Sequence, residues 1–153
     1  MKVCQQIWNQ QSGWRSSGPI LDAAQLVLVF AGINQFGDMR WLAELRTLFP
    51  VAQLFGCSTA GEIAGTEVND ETVVATGIHF ETTTIHLERV TIRHPQDSRD
   101  AGHRLASLLP KDKLAHVLVI ADGQRVNGSE LVRGLTADLP AGVHVTGGLA
   151  GDG

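Results

Sequence analysis

Residues with chemically useful side chains lie in short runs of small residues that follow the predicted strands. The segment 56–62 reads Gly-Cys-Ser-Thr-Ala-Gly-Glu, and the segment 147–153 reads Gly-Gly-Leu-Ala-Gly-Asp-Gly. Small residues leave backbone N–H groups and space accessible, and ligands of open α/β sheets bind at the carboxyl ends of the strands. The pattern predicts a site for a small polar molecule. The side chains that could hold its ammonium or hydroxyl groups are those of Ser58, Thr59, Glu62, Asp122 and Asp152.

Cys57 offers a second chemistry, nucleophilic catalysis. It follows a predicted buried strand in a tight turn, where backbone N–H groups can stabilise a thiolate. The segment does not match the G-x-S-x-G elbow. No histidine is close to Cys57 in sequence, so a catalytic base would have to be His79 or His144, brought near it by the fold. Cysteine also packs in cores as a small apolar group. A cysteine-dependent hydrolase or transferase centred on Cys57 therefore stays open as an alternative to a non-catalytic binding site, with alkylation by iodoacetamide as the discriminating test.

The sequence predicts neither a metal site nor a cofactor. The six histidines are scattered and form no HxH, HExxH or Cys-His pattern. The glycines near the end of the sequence lack the G-x-G-x-x-G spacing and the following helix that would hold a nucleotide phosphate.

Three amphipathic helices, each closed by a proline, are predicted around these segments. They span residues 38–49, 98–109 and 129–139, and Pro50, Pro110 and Pro140 follow them. Candidate N-caps are Asp38 for the first helix, Asp97 or Ser98 for the second, and Asn127 or Ser129 for the third. The side chains predicted to face inward are Trp41, Leu42, Leu45, Leu48 and Phe49, then Ala101, Leu105, Leu108 and Leu109, then Leu131, Val132, Leu135 and Leu139.

Strands are predicted between the helices. Residues 25–31 and 116–121 are continuous apolar runs, which are typical of strands covered on both faces, and 52–55 and 143–146 are shorter candidates. Residues 72–80 and 83–92 are rich in β-branched residues and predict an antiparallel hairpin. A two-residue connection would place the apolar residues of both strands on one face, which favours that register, although Glu-Thr is poor turn chemistry.

The chain also contains an internal repeat of this pattern. Gly32 and Gly56 recur 91 positions later as Gly123 and Gly147, and Pro50 recurs 90 positions later as Pro140. Two strand–helix–strand units of one design are therefore expected, each with parallel strands and a right-handed crossover. The predicted fold class is α/β, a mixed sheet with parallel β-α-β units and an antiparallel hairpin, with helices packed on the faces.

Composition restricts the class of protein. The chain has 153 residues, of which 43% are hydrophobic and 18% charged, so one domain with a core is expected. The net charge of −4 gives no basic field for nucleic acid or for an anionic membrane surface. The apolar runs are too short to span a membrane, the N-terminus does not read as a signal peptide, and two cysteines form no framework. These features favour a cytoplasmic protein.

Four segments together resemble the N-terminal half of FIST sensory domains, the F-box and intracellular signal transduction family. They are residues 24–32, 54–65, 121–128 and 146–153, and the resemblance covers roughly residues 15–153. It implies one FIST N-terminal-like domain over residues 1–153, in which residues 1–14 form an extension. It also implies that this chain is truncated at residue 153 relative to a longer family protein. The motif positions carried over as ligand-binding residues are Cys57, Ser58, Thr59, Gly61, Glu62, Asn127, Gly147, Gly148 and Asp152.

The resemblance also implies a function and partners. Such modules are proposed to bind small molecules such as amino acids in the bacterial cytoplasm, without catalysis. The implied partners are a small-molecule ligand, a C-terminal FIST domain, and a histidine kinase, diguanylate cyclase or chemotaxis-type receptor. A structural interaction domain that uses the edge of the predicted hairpin is a third interpretation of the sequence.

Overall fold

The computed structural model describes residues 1–16 and 18–151. Within them the chain divides into two compact units, Met1–Ile85 and His86–Ala150, each with its own sheet and core. No helix in the described residues is long and apolar enough to cross a membrane.

A five-stranded mixed sheet and a small separate hairpin form the first unit. The elements of this unit are β1 Lys2–Asn9, β2 Gly13–Ser16, β3 Leu26–Gly32, α1 Arg40–Leu48, β4 Gln53–Thr59, β5 Glu62–Ala64, β6 Glu67–Asn69 and β7 Val73–His79. The strand order of the large sheet is β2-β1-β7-β3-β4, in which β3 and β4 are parallel and the other neighbours are antiparallel. The separate hairpin of β5 and β6 precedes the central strand β7.

Helix α1 covers one face of this sheet, as the sequence predicts. Trp41, Leu45 and Phe49 are buried against Val27 and Val29 of β3, and Leu42 and Leu48 pack at the margin of the same cluster. The carboxyl group of Asp38 accepts a hydrogen bond from the backbone N–H of Arg40. That bond and the Arg40 guanidinium hold the pKa of Asp38 below its ordinary value, so Asp38 stays charged where α1 begins.

The second unit is a two-stranded parallel sheet with two helices on one face. Its elements are α2 Ser98–Leu108, β8 His116–Asp122, α3 Gly128–Ala137 and β9 His144–Ala150. The core lies between the helices and the sheet, where Ala101 and Ala106 of α2 and Leu131 and Leu135 of α3 are buried. A 3₁₀ turn, Pro95–Asp97, leads into α2.

Helices α2 and α3 cross at two glycines. A Cβ atom on Gly102 would overlap the backbone of Leu131 and Leu135, and one on Gly134 would overlap the carbonyl group of Arg99. The helices therefore pack backbone against backbone. This explains why two residues predicted to face inward, Leu108 and Val132, are exposed instead: the helices meet on their small residues rather than on their leucines.

The two predicted strand–helix–strand units are confirmed. β3–α1–β4 and β8–α3–β9 both pair in parallel, and a glycine of the second strand lies opposite a valine of the first, Gly56 opposite Val29 and Gly147 opposite Val119. A Cβ atom on either glycine would overlap the carbonyl oxygen of the opposing valine. Both copies of the repeat thus contain the same close approach between two backbones. The first strands of the copies, β3 and β8, are related by an offset of 90 residues, whereas the glycines of the second strands are related by 91.

The predicted fold class is confirmed, but the predicted hairpin of residues 72–80 with 83–92 is wrong. Strand β7 pairs with β1 on one edge and with β3 on the other, so no edge is left for residues 83–92, which form no strand. Both partners of β7 are antiparallel to it. Sequence reasoning missed the strand β1 altogether, because its polar sequence lacks a clear strand signal. The two parallel pairs also belong to separate sheets.

Two strands extend further than expected, through residues interpreted as loops. β4 continues through Gly56, Cys57 and Ser58 to Thr59, and β9 continues through Gly147 and Gly148 to Ala150. The physical reason is the length of the partner strand, since β3 and β8 each pair with their neighbour over seven residues. Glycine fits into these pairings because the two strand backbones approach closely at that position.

Candidate functional site

The candidate ligand residues fall into the two units rather than into one continuous motif. Those in the first unit are Cys57, Ser58, Thr59, Gly61 and Glu62, and those in the second are Asp122, Asn127, Gly147 and Gly148. Asp152 lies outside the described residues.

Glu62 is the centre of a buried polar network at the carboxyl end of β4. Its side chain is 1% exposed. Thr59 Oγ1 donates to Glu62 Oε1 over 2.7 Å, and the N–H and hydroxyl of Thr72 donate to Oε2 over 3.1 and 2.9 Å. With both oxygens engaged by neighbouring donors, the carboxylate joins β4, β5 and the start of β7.

A second polar group beside it, which sequence reasoning missed, centres on Glu71. This residue has a positive φ of 56°, which is uncommon for a residue other than glycine. Asn34 Nδ2 donates to its carboxylate over 2.7 Å, and the buried Gln35 donates to its carbonyl oxygen over 3.0 Å. Gln35 Oε1 is itself buried without a hydrogen-bond partner in the structure. These contacts fix the turn between β6 and β7.

Cys57 and Ser58 lie on opposite faces of the sheet. Ser58 is in register with Ala31, which faces α1, so the half-buried Cys57 faces away from that helix. Gly61 lies in the turn after β4, where a Cβ atom would approach the Val68 side chain to 3.2 Å. Cys57 thus lies on the face of the sheet opposite to α1, whereas Gly61 allows the β5–β6 hairpin to pack closely after β4.

The sheet register separates Cys57 from one of its two considered partners, His79. Cys57 pairs with Phe30, near the end of β3, whereas His79 follows Ile78, which pairs with Leu26 at the start of β3. Four residues of strand correspond to about 13 Å. His79 Nδ1 instead lies 2.9 Å from the carbonyl oxygen of Ala23. A Cys57–His79 pair is therefore not formed.

We expect iodoacetamide to modify Cys57 of the native protein before Cys4. Cys57 is half-buried, whereas Cys4 is 8% exposed within the core, so Cys4 reacts only after local opening. Peptide mass spectrometry over a time course measures both rates, and Cys57→Ser provides the control for assignment. Equal rates at the two thiols under native conditions would contradict this placement.

A cavity of about 470 Å³ opens in the second unit between α3 and the β8–β9 sheet. The absence of a side chain at Gly147, where a Cβ atom would meet Val119, leaves the floor of the cavity as bare backbone. Apolar side chains form most of the wall, and among the residues that the structure describes no charged side chain lines it. The lining residues are Val119, Ala121, Gly128, Leu131, Val132, Val145, Thr146, Gly147, Gly148 and Leu149.

The other two candidate residues of this unit make local structural contacts. Asn127 is the N-cap of α3, as the sequence predicts: its Oδ1 accepts from the N–H of Glu130 over 3.2 Å. Asp122 accepts from the N–H of Gln124 over 2.8 Å and lies 3.7 Å from the Arg125 guanidinium. Neither lines the cavity, so Gly147 and Gly148 are the two described candidate residues that do.

A family comparison agrees with this architecture. The model of the FIST N domain matches residues 25–153, which is most of the chain and runs through both β-α-β units. The chain belongs to the FIST N family. FIST domains are sensory domains of signalling proteins. A comparison with curated proteins found no match.

Family membership confirms the resemblance read from the glycine-rich segments. In this FIST N domain those segments are parts of β4 and β9, the second strands of the two β-α-β units. Within those segments, Gly56 and Gly147 lie where a Cβ atom would overlap the opposing strand.

Proposed function

We propose that this FIST N domain senses a small amino-acid-like metabolite, which binds without chemical change in the cavity beside α3. The observation that carries the proposal is the cavity itself. Its volume of about 470 Å³ lies within the range of small-molecule sites, and two glycines of the family motif line it.

The lining favours an amino acid with an apolar side chain. Leu131, Val132, Val145 and Leu149 present apolar surface, which would receive the ligand's hydrocarbon part. β9 is an edge strand, so its outer N–H and C=O groups are available to the ligand's polar end. A strongly charged side chain would find no partner among the lining residues.

The signalling step follows from linkage. A ligand shifts an equilibrium between two conformations only by the difference between its affinities for them. The proposed recipients of the signal are a C-terminal FIST domain and, through it, a histidine kinase, diguanylate cyclase or chemotaxis-type receptor. We propose a cytoplasmic setting, which agrees with two cysteines outside any disulfide.

A calorimetric titration of the full chain with amino acids tests ligand binding. We expect saturable binding of at least one of leucine, isoleucine, valine, methionine and phenylalanine, and none of aspartate or lysine. At a ligand concentration of about 100 times Kd, the bound protein gains about 2.7 kcal/mol in unfolding free energy. No binding across the apolar amino acids would overturn the proposal.

The variant Val132→Trp localises the binding. Val132 lines the cavity and is 41% exposed, so a larger side chain can fill the opening without entering the core. We expect the affinity to fall at least about tenfold, equal to about 1.4 kcal/mol. Val51→Trp, the same change at an exposed residue of the other unit, should leave the affinity unchanged. Equal affinity in both variants would place the ligand elsewhere.

A further inference from the structure

Strand β8 has an open edge where the equivalent strand of the first unit is paired. β3 lies between β4 and β7, whereas β8 is hydrogen-bonded to β9 alone within residues 1–16 and 18–151. The second strands do not differ in this way, since β4 and β9 each end their sheet. The strand position that β7 fills beside β3 therefore has no counterpart beside β8 in the described residues.

The side chains at this position match between the units. Those of β3 that face the helix side are Val27, Val29 and Ala31, and their equivalents in β8 are Val117, Val119 and Ala121. In the first unit these residues lie opposite the small or β-branched residues Gly77, Ala75 and Val73 of β7. The same surface is thus repeated in β8 without its strand.

We propose that the open edge of β8 binds an antiparallel strand supplied by another polypeptide. The strand would carry small or β-branched residues at alternate positions toward α2 and α3, in the pattern Val-x-Ala-x-Gly of β7. Its affinity would come from main-chain hydrogen bonds and its specificity from these alternate side chains, as in other cases of strand addition. An unpaired edge is a ready template for such pairing.

The physical chemistry of the sheet supports an added strand. Parallel sheets in α/β proteins are normally covered on both faces, whereas α2 and α3 cover one face of the β8–β9 sheet. Leu118, on the face of β8 away from the helices, is 42% exposed. A further strand would complete the ladder on the side of β8 that β9 leaves open.

Two nearer occupants fit less well. Val90 and Ile92 pack, like Val119 and Ala121, against the cluster of buried residues in α2 and α3, but the segment 83–92 forms no ladder with β8. The β7 strand of a second copy is hydrogen-bonded on both edges within its own sheet. The occupant to test is a separate polypeptide with a free extended segment, and a dimer of the chain without peptide, with its β8 amides protected, would overturn this choice in favour of β8 of a second copy.

A labelled peptide with the sequence of residues 72–80 tests the proposal by fluorescence anisotropy with the full chain. We expect saturable binding, with hydrogen-exchange protection of β8 amides and not of β4 or β9 amides. Two matched controls carry N-methyl groups on alternate residues, either at 73, 75 and 77 or at 74, 76 and 78. Successive residues of a strand direct their N–H groups to opposite edges, so one control should bind normally and the other at least about tenfold more weakly.

Each other result overturns strand addition at β8. Equal binding of the two N-methylated peptides would show side-chain association without main-chain pairing. Protection of β4 or β9 instead of β8 would place the peptide at a different edge. Absence of binding, or slow exchange of both β8 and residues 83–92 without peptide, would show that the edge does not take a strand from outside. Amino-acid titrations of the same protein keep this result separate from the fate of the cavity proposal.

Discussion

Gly134→Ala is expected to lower the free energy of unfolding of the second unit by about 3 kcal/mol. The new Cβ atom would overlap the carbonyl group of Arg99, so α2 and α3 would have to separate. Their separation would open the core between Ala101, Leu131 and the sheet. The destabilisation opposes, and exceeds, the gain of about 1 kcal/mol that alanine brings to a helix relative to glycine.

Gly128→Ala is the matched control for this prediction. It makes the same change in the same helix, but its Cβ atom would approach Leu149 only to 3.6 Å, an ordinary contact. We expect unchanged or slightly increased stability. Urea unfolding followed by far-ultraviolet circular dichroism measures both variants, since α2 and α3 contain most helical residues. Equal stability of the two variants would contradict the glycine crossing.

Glu62→Ala is expected to destabilise the first unit by about 3 kcal/mol. Its removal leaves the Thr59 hydroxyl and the N–H and hydroxyl of Thr72 without their acceptor, in a site where water does not reach Glu62. An unsatisfied buried polar group costs about 1–3 kcal/mol, and three groups are affected.

Glu62→Gln separates the loss of hydrogen bonds from the loss of charge. The glutamine Oε1 can still accept from Thr72, and its amide can donate to the Thr59 hydroxyl, which accepts as well as donates. We expect a loss of only about 1 kcal/mol. Tryptophan fluorescence reports this unit specifically, because Trp8, Trp14 and Trp41 all belong to it.

The exposed Glu67 of the same hairpin provides the control. Glu67→Ala should change stability by less than about 0.5 kcal/mol, as is usual for surface substitutions. If Glu67→Ala and Glu62→Ala were equally destabilising, the hairpin as a whole rather than the buried carboxylate would account for the effect.

The parts of the fold that depend on local signals could be predicted from the sequence. Proline closes all three helices, and apolar runs mark β3 and β8, so both β-α-β units and their repeat were accessible. The N-cap of α3 at Asn127 could be predicted for the same reason, since the hydrogen bond from Glu130 to Asn127 spans only three residues. These features need no knowledge of distant partners.

The parts that depend on competition between distant segments could not be predicted. Residues 72–80 and 83–92 are adjacent in sequence and rich in β-branched residues, but β7 pairs with β1 instead, some seventy residues away. β1 has the polar sequence Gln5-Gln6 at its centre, so its local signal is weak. The glycine crossing of α2 and α3 was missed because helical periodicity records apolar positions and not the absence of side chains.

For the site, two of the glycines predicted to bind a ligand lie at the cavity, and their role in binding stays a prediction. Gly147 and Gly148 do line the cavity, but as part of β9 rather than of a loop. The apolar wall is formed by side chains of α3, β8 and β9 together, and it was not apparent from the segments chosen for their polar residues. Glu62 was predicted to accept from an ammonium or hydroxyl group of a ligand, and in the structure its carboxylate accepts from Thr59 and Thr72.

The glycine contact of α2 and α3 also has a thermal consequence. Hydration of apolar surface raises heat capacity on unfolding, whereas hydration of peptide groups lowers it. A helix crossing made of peptide groups therefore adds less to the heat-capacity change of unfolding than a crossing made of leucines. The contribution of this crossing to stability should vary less steeply with temperature.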